Sequence, residues 1–166
     1  MKASARRAYP SDVATRLVRD ERGIVSIEFA VVAFITVILV IGTIELALEM
    51  IADASVQLAA QEASRVGLTT TAPNTGTRQD QAAAIVNNIL SGWKQIGGTV
   101  TVSELNYGTY GNLTSTTYTP SQDMGGFADI IAYNIQLKMP GITGIPKMFG
   151  VDELTFERNY IVQNEK

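Results

Sequence analysis

Sixteen consecutive residues, FAVVAFITVILVIGTI from Phe29 to Ile44, carry no charge, and extending the stretch back to Ile24 gives 21 residues with one ionisable side chain, Glu28. As a helix rising about 1.5 Å per residue, the stretch is roughly 31 Å long, close to the hydrocarbon thickness of a bilayer. A secretory signal peptide has a shorter apolar region, about 7 to 15 residues, and ends in a small-residue site such as Ala-x-Ala. No such site follows this run within the membrane stretch. The run predicts a transmembrane helix over residues 24–44, and an ordinary signal anchor accounts for its hydropathy. It does not account for Glu28, because a charge inside hydrocarbon costs about 2.5 to 3.5 kcal/mol on insertion scales and normally has a partner or a task.

Charge sets the expected orientation. Of the 166 residues, the first 23 hold Lys2, Arg6, Arg7, Arg16, Arg19 and Arg22 against Asp12, Asp20 and Glu21. Basic residues flanking a span resist translocation, so the N-terminus is expected in the cytoplasm and the rest of the chain outside. The remainder is acidic, with seven basic and thirteen acidic side chains. Scattered basic residues on an acidic background lack the concentrated positive face that nucleic acid requires. The chain has no cysteine, so thiol chemistry and disulfides are excluded.

Beyond the run, helical spacing persists. Glu45, Glu49, Asp53, Gln57 and Gln61 recur every four residues as a polar face, with Leu48, Ile51, Ser55, Leu58 and Glu62 opposite and alanines on the flanks. Alanine favours helix and permits close approach, so residues 45–68 are expected to form a stalk packed on the chain's own domain, ended by Gly67 as a left-handed cap. Residues 69–77 are a loop. A second helix over 78–96 is expected from the capping-box spacing of Thr77 and Asp80 and from Ala82, Ile85, Val86, Ile89, Leu90 and Trp93, with Gly97-Gly98 as its stop.

Alternation then predicts strands at 99–107, at 128–139 with Ile131, Tyr133, Ile135 and Leu137 on one face, and at 154–164. Arg158 shares a face with Leu154, Phe156, Tyr160 and Val162, and an edge position is the simplest place for it. Residues 107–127, rich in Gly, Thr, Ser and Tyr, read as a long exposed loop or extended hairpin. The expected organisation is a leader at 1–23, a span at 24–44, a stalk at 45–68 and an α+β domain at 69–166, in which the two helices cover one face of a small antiparallel sheet.

Catalysis finds little support. The chain has no histidine, which together with the absence of cysteine removes the common nucleophile–base pairs and zinc sites. Asp123 and Asp129 stand in the long loop without motif context, and that loop lacks the alternating ligands of a calcium site. Met124, Met139 and Met148 suit gap filling better than ligation. No catalytic residue, metal site or cofactor is expected.

The junction carries the function. Asp20-Glu21-Arg22-Gly23 followed by Ile24-Val25-Ser26-Ile27-Glu28-Phe29 and a pure apolar run resembles the processing region of type IV pilins and pseudopilins. The closer resemblance is to the TadE-like pseudopilins of the tight-adherence (Tad/Flp) pilus system, through the ERG-x-x-x-x-EFA start, the span, and Ala59-Ala60-Gln61-Glu62-Ala63-Ser64-Arg65, over residues 21–68. The resemblance implies a type IV pilin-like α+β fold and cleavage between Gly23 and Ile24 by a prepilin peptidase that recognises Glu28 and Phe29. It also implies subunit assembly through Glu28 and the new amine of Ile24. The implied partners are that peptidase, other minor pilins, the major Flp pilin, the inner-membrane assembly platform and the lipid bilayer, and the implied location is the bacterial inner membrane. Two rival readings are a single-pass signal-anchored extracytoplasmic binding protein and a membrane-tethered hydrolase using acidic residues. Cleavage after Gly23 is demanded by the pilin reading alone.

Overall fold

Hydrocarbon offers no hydrogen-bond partners, so a charge-free stretch satisfies its backbone internally by coiling. In the structure, a computed structural model that describes residues 22–68, 70–71 and 73–165, helix α1 runs over Arg22–Leu68 without a break. Residues 1–21 of the expected leader lie outside the described residues. The chain divides into one unit ending at Ile41 and another beginning at Gly42. In the first, Ile24, Val25, Ile27, Phe29, Val32, Phe34 and Leu39 all face outward. Among the described residues α1 is the one helix long and apolar enough to cross a membrane. Its polar atoms are handled locally: the Thr36 hydroxyl donates to the Val32 carbonyl at 2.8 Å.

The second unit is an α+β domain. After α1 come α2 (Arg78–Ile89), α3 (Ser91–Gln95), β1 (Thr99–Asn106), α4 (Tyr110–Leu113), β2 (Ile130–Met139), α5 (Ile145–Met148) and β3 (Leu154–Gln163). The strands form an antiparallel sheet in the order β1-β2-β3, with β2 central. Val100 faces Leu137 and Glu104 faces Tyr133 across one pair, while Ile135 faces Arg158 and Leu137 faces Phe156 across the other. Central β2 alternates as expected, burying Ile131, Tyr133, Ile135, Leu137 and Met139 on the helix side. The outer side is a polar ladder in which Asn134 bonds Asn159 at 2.7 Å and Gln136 bonds Glu157 at 3.3 Å.

The stalk packs through a different face from the one its large residues suggest. Ala52, Val56, Ala59, Ala60 and Ala63 are buried, whereas Ile51 and Leu58 are about half exposed. Small side chains let the helix backbone settle against the bulky row of β2, so size decides the buried face here. Those residues form one core with Ala82, Val86 and Leu90.

Other expectations need correction. α1 continues through Gly67 to Leu68, whose carbonyl accepts the Glu165 amide at 2.5 Å, so the chain's last residues end the helix without a glycine cap. The expected single helix over 78–96 breaks at Leu90, where the Ser91 hydroxyl takes the Asn88 carbonyl at 2.8 Å and competes with the helical ladder. Its start does hold the capping box of Thr77 and Asp80. Gly97-Gly98 stops the segment because Gly97 has φ +97° and a Cβ on Gly98 would lie 2.7 Å from the Trp93 carbonyl oxygen. Met148 is exposed at the surface and fills no gap.

Candidate functional site

The sequence-predicted site residues lie at the start of α1. Gly23 stands in the first turn, where the leading N–H groups have no intrahelical acceptor, and glycine is about 1 kcal/mol poorer than alanine in a helix. The backbone therefore opens most cheaply here. Nothing lies within 4 Å of a Cβ built on Gly23. A Cβ at that position therefore meets no other part of the described residues.

Ile24 and Glu28, four residues apart, share one face, with Phe29 a further 100° or so around the helix. All three are exposed, Phe29 at 72%. Glu28 has no hydrogen-bond or ion-pair partner among the described residues, and from Phe29 to Ile44 no other charge follows it. The arrangement offers a carboxylate projecting sideways from an apolar rod, about 6 Å along the axis from the nitrogen of Ile24.

The opposite end of the run holds a carboxylate that sequence reasoning placed on a solvated face. Glu45 is 3% exposed. Its two oxygens accept the backbone N–H groups of Ile142 at 2.9 Å and Thr143 at 2.6 Å, fixing the loop between β2 and α5 to the helix. Gly141 permits this approach, because a Cβ there would lie 2.6 Å from the Pro146 ring and 3.0 Å from Glu45 Oε1. The available signal was the Gly141-Ile142-Thr143-Gly144 turn, but spacing alone does not connect it to Glu45.

Arg158 receives its explanation from the same helix. It lies on the inner face of edge strand β3 and pairs with Asp53 of α1, both side chains being somewhat more than a third exposed. The alternation that looked imperfect is an ion pair between strand and stalk.

Two further polar groups lie inside the domain. Glu104 is buried on the core face of β1; one oxygen accepts from the Gln79 amide at 3.0 Å, and the other has no partner among the described residues. Burial pushes its carboxyl above the usual range, against the hydrogen bond from Gln79. The Asn164 amide donates to the Met124 and Gly126 carbonyls at 2.7 and 3.0 Å.

The long segment 107–127 is thereby tied down: Met124 is buried, Ser121 bridges Asn106, and Arg78 donates to the Met124 and Gly125 carbonyls. Asn106 holds Asp123 at 2.8 Å and Asp129 at 3.4 Å, and those carboxylates also accept the Gly125 and Gly126 amides. Hydrogen bonds from Ser121 and Asn106 keep the Asp123 carboxyl below its ordinary range. Both aspartates thus accept from the same Asn106 amide and organise the loop.

A family model described as TadE-like protein matches residues 23–65. The helical segment is TadE-like. The match begins at Gly23, covers the whole apolar run and ends at Arg65, just beyond the alanine face that packs on the sheet. It associates the chain with the Tad pilus system. No curated protein and no solved structure matches the chain. The domain that follows the TadE-like segment is therefore read from its own residues.

Proposed function

We propose that this chain is a minor pilin or pseudopilin of a Tad pilus, a structural subunit and not an enzyme, that is cleaved after Gly23 by a prepilin peptidase and acts in pilus assembly, initiation or tip adhesion. The observation that carries the reading is Glu28: an exposed carboxylate four residues beyond Ile24, at the head of a TadE-like apolar helix, with no partner among the described residues of its own subunit. Cleavage before Ile24 frees an α-amine with a reference pKa near 8, cationic at neutral pH. The amine and Glu28 of one helix are separated by about one turn, so a neighbouring helix shifted by that amount brings opposite charges level. In hydrocarbon an unpaired charge is expensive, so the pair disfavours misregistered subunits and sets register more than it adds stability.

The orientation belongs to the same proposal: a basic leader in the cytoplasm, one span in the inner membrane, and the α+β domain outside. The test is Gly23→Leu in cells with an active peptidase. Because a Cβ at 23 meets nothing within 4 Å among the described residues, the variant is expected to fold and insert, retain its leader and fail to support piliation. A leader-retaining variant that piliates like the wild type overturns the proposal.

A further inference from the structure

The most exposed large apolar side chains of the second unit include Met148 and Phe149, 75% and 79% exposed, in the segment that links β2 to β3. Ile142 and Val151 add to the same apolar surface. An isolated exposed apolar residue needs no explanation, but four within ten residues, in and around one short helical turn, are of the kind that marks a contact. The turn is shaped to project: Gly144 and Gly150, at φ +78° and +80°, stand on either side of α5 and its exit.

Position identifies the partner. Glu45, the first residue after the apolar run, holds the amides of Ile142 and Thr143, and Ile145 Cδ1 lies 3.9 Å from where a Cβ on Gly42 would be. The segment is thus fastened beside Gly42–Ile44, the last apolar turn of the stretch that crosses the bilayer. Lys147, exposed between Pro146 and Met148, has a long stem that can lie along apolar surface while its ammonium meets anionic headgroups. The outer sheet face carries the polar ladder of Asn134, Gln136, Glu157 and Asn159.

We propose that residues 141–151 form a second membrane contact, in which Met148 and Phe149 enter the headgroup–acyl boundary of the bilayer that α1 spans, with Lys147 at the lipid phosphates. The occupant of the patch is lipid. Four apolar side chains in the interface hold the segment at the membrane surface, and Glu45 ties that segment to the helix turn that follows the apolar run. The proposal rests on α1 being a membrane span.

The full chain, which has no native cysteine, permits a direct test in phosphatidylcholine–phosphatidylglycerol vesicles. An environment-sensitive fluorophore is placed singly at Met148→Cys, at Val37→Cys inside the span and at Asn159→Cys on the polar sheet face, and quenching by nitroxide-labelled lipids is measured. The expected result is a blue-shifted label at 148, quenched severalfold more than that at 159. Adding Phe149→Glu is expected to abolish quenching at 148 and leave 37 unchanged. Quenching at 37 without quenching at 148 overturns the membrane contact and spares the span. If neither is quenched, the span reading falls and takes the proposal with it. A label at 148 shielded only when other pilus subunits are added assigns the patch to protein and also overturns the proposal.

Discussion

Glu28 and Glu45 bracket the same charge-free run, yet the first faces outward with no partner among the described residues while the second is 3% exposed and grips two backbone amides. The helix is the same and the side chains are chemically identical. What differs is whether the subunit supplies the donors. At the run's C-terminal end the fold satisfies its own carboxylate, which makes Glu45 part of the domain's architecture. At its N-terminal end no described residue does so, and there the proposed pairing places a neighbour's amine. The same contrast runs along α1 as a whole: large apolar residues face outward before Gly42, whereas after it Ala52, Val56, Ala59, Ala60 and Ala63 are buried.

The largest effect expected from breaking this contrast is on stability. Glu45→Ala removes both acceptors from two backbone N–H groups, and each buried unsatisfied group costs about 1–3 kcal/mol, so a loss of about 2–4 kcal/mol is expected. Denaturant unfolding of the full chain in detergent measures it, with new protease sensitivity at residues 141–151 as the local sign. Glu28→Ala, measured alongside, is expected to shift stability by less than about 0.5 kcal/mol.

Glu28→Gln then sharpens the comparison in the assembled state. Insertion and cleavage are expected to stay near wild-type, while crosslinking to other pilin subunits and pilus output fall. A variant that assembles and piliates normally removes the pairing role.

A third, smaller effect concerns the buried carboxylate in the core. Burial raises the Glu104 carboxyl above the ordinary carboxylate range, so the native state holds that proton more tightly than the unfolded one. Its contribution to stability is present below the unfolded value and lost as pH rises through the folded one. Glu104→Gln, which keeps a partner for Gln79, is therefore expected to stabilise the protein at pH 7. Unfolding midpoints measured across pH are expected to converge with the wild type below about pH 4. The smallest effect is that of Arg158→Ala: the pair with Asp53 is well over a third exposed on both sides, so no more than about 1 kcal/mol is lost, and less in high salt.

Local patterning made much of the fold legible. The alternation of Ile131, Tyr133, Ile135 and Leu137 gave the buried face of β2, and Thr77 with Asp80 gave the start of α2, because both signals act within a few residues. The alanines signalled a stalk packed on its own domain, but spacing did not say which of them fit the sheet: Ala52, Ala59, Ala60 and Ala63 are buried while Ile51 and Leu58 are about half exposed. Glu45 with Thr143 and Asp53 with Arg158 were hidden because each joins positions about a hundred residues apart, and no local spacing encodes such a pairing. The break at Leu90 depends on side chains competing for backbone carbonyls, which periodicity does not register. The junction residues were legible for the opposite reason: their meaning lies in contiguous sequence ahead of an apolar run, and the fold adds to it only their exposure.

The central claim, that the inner end of the run is prepared for processing and pairing, is tested most directly by the intact mass and N-terminal sequence of the protein recovered from membranes of cells with an active prepilin peptidase. The account predicts a chain that begins at Ile24 and lacks residues 1–23. A chain that retains Gly23 and the residues before it contradicts the account.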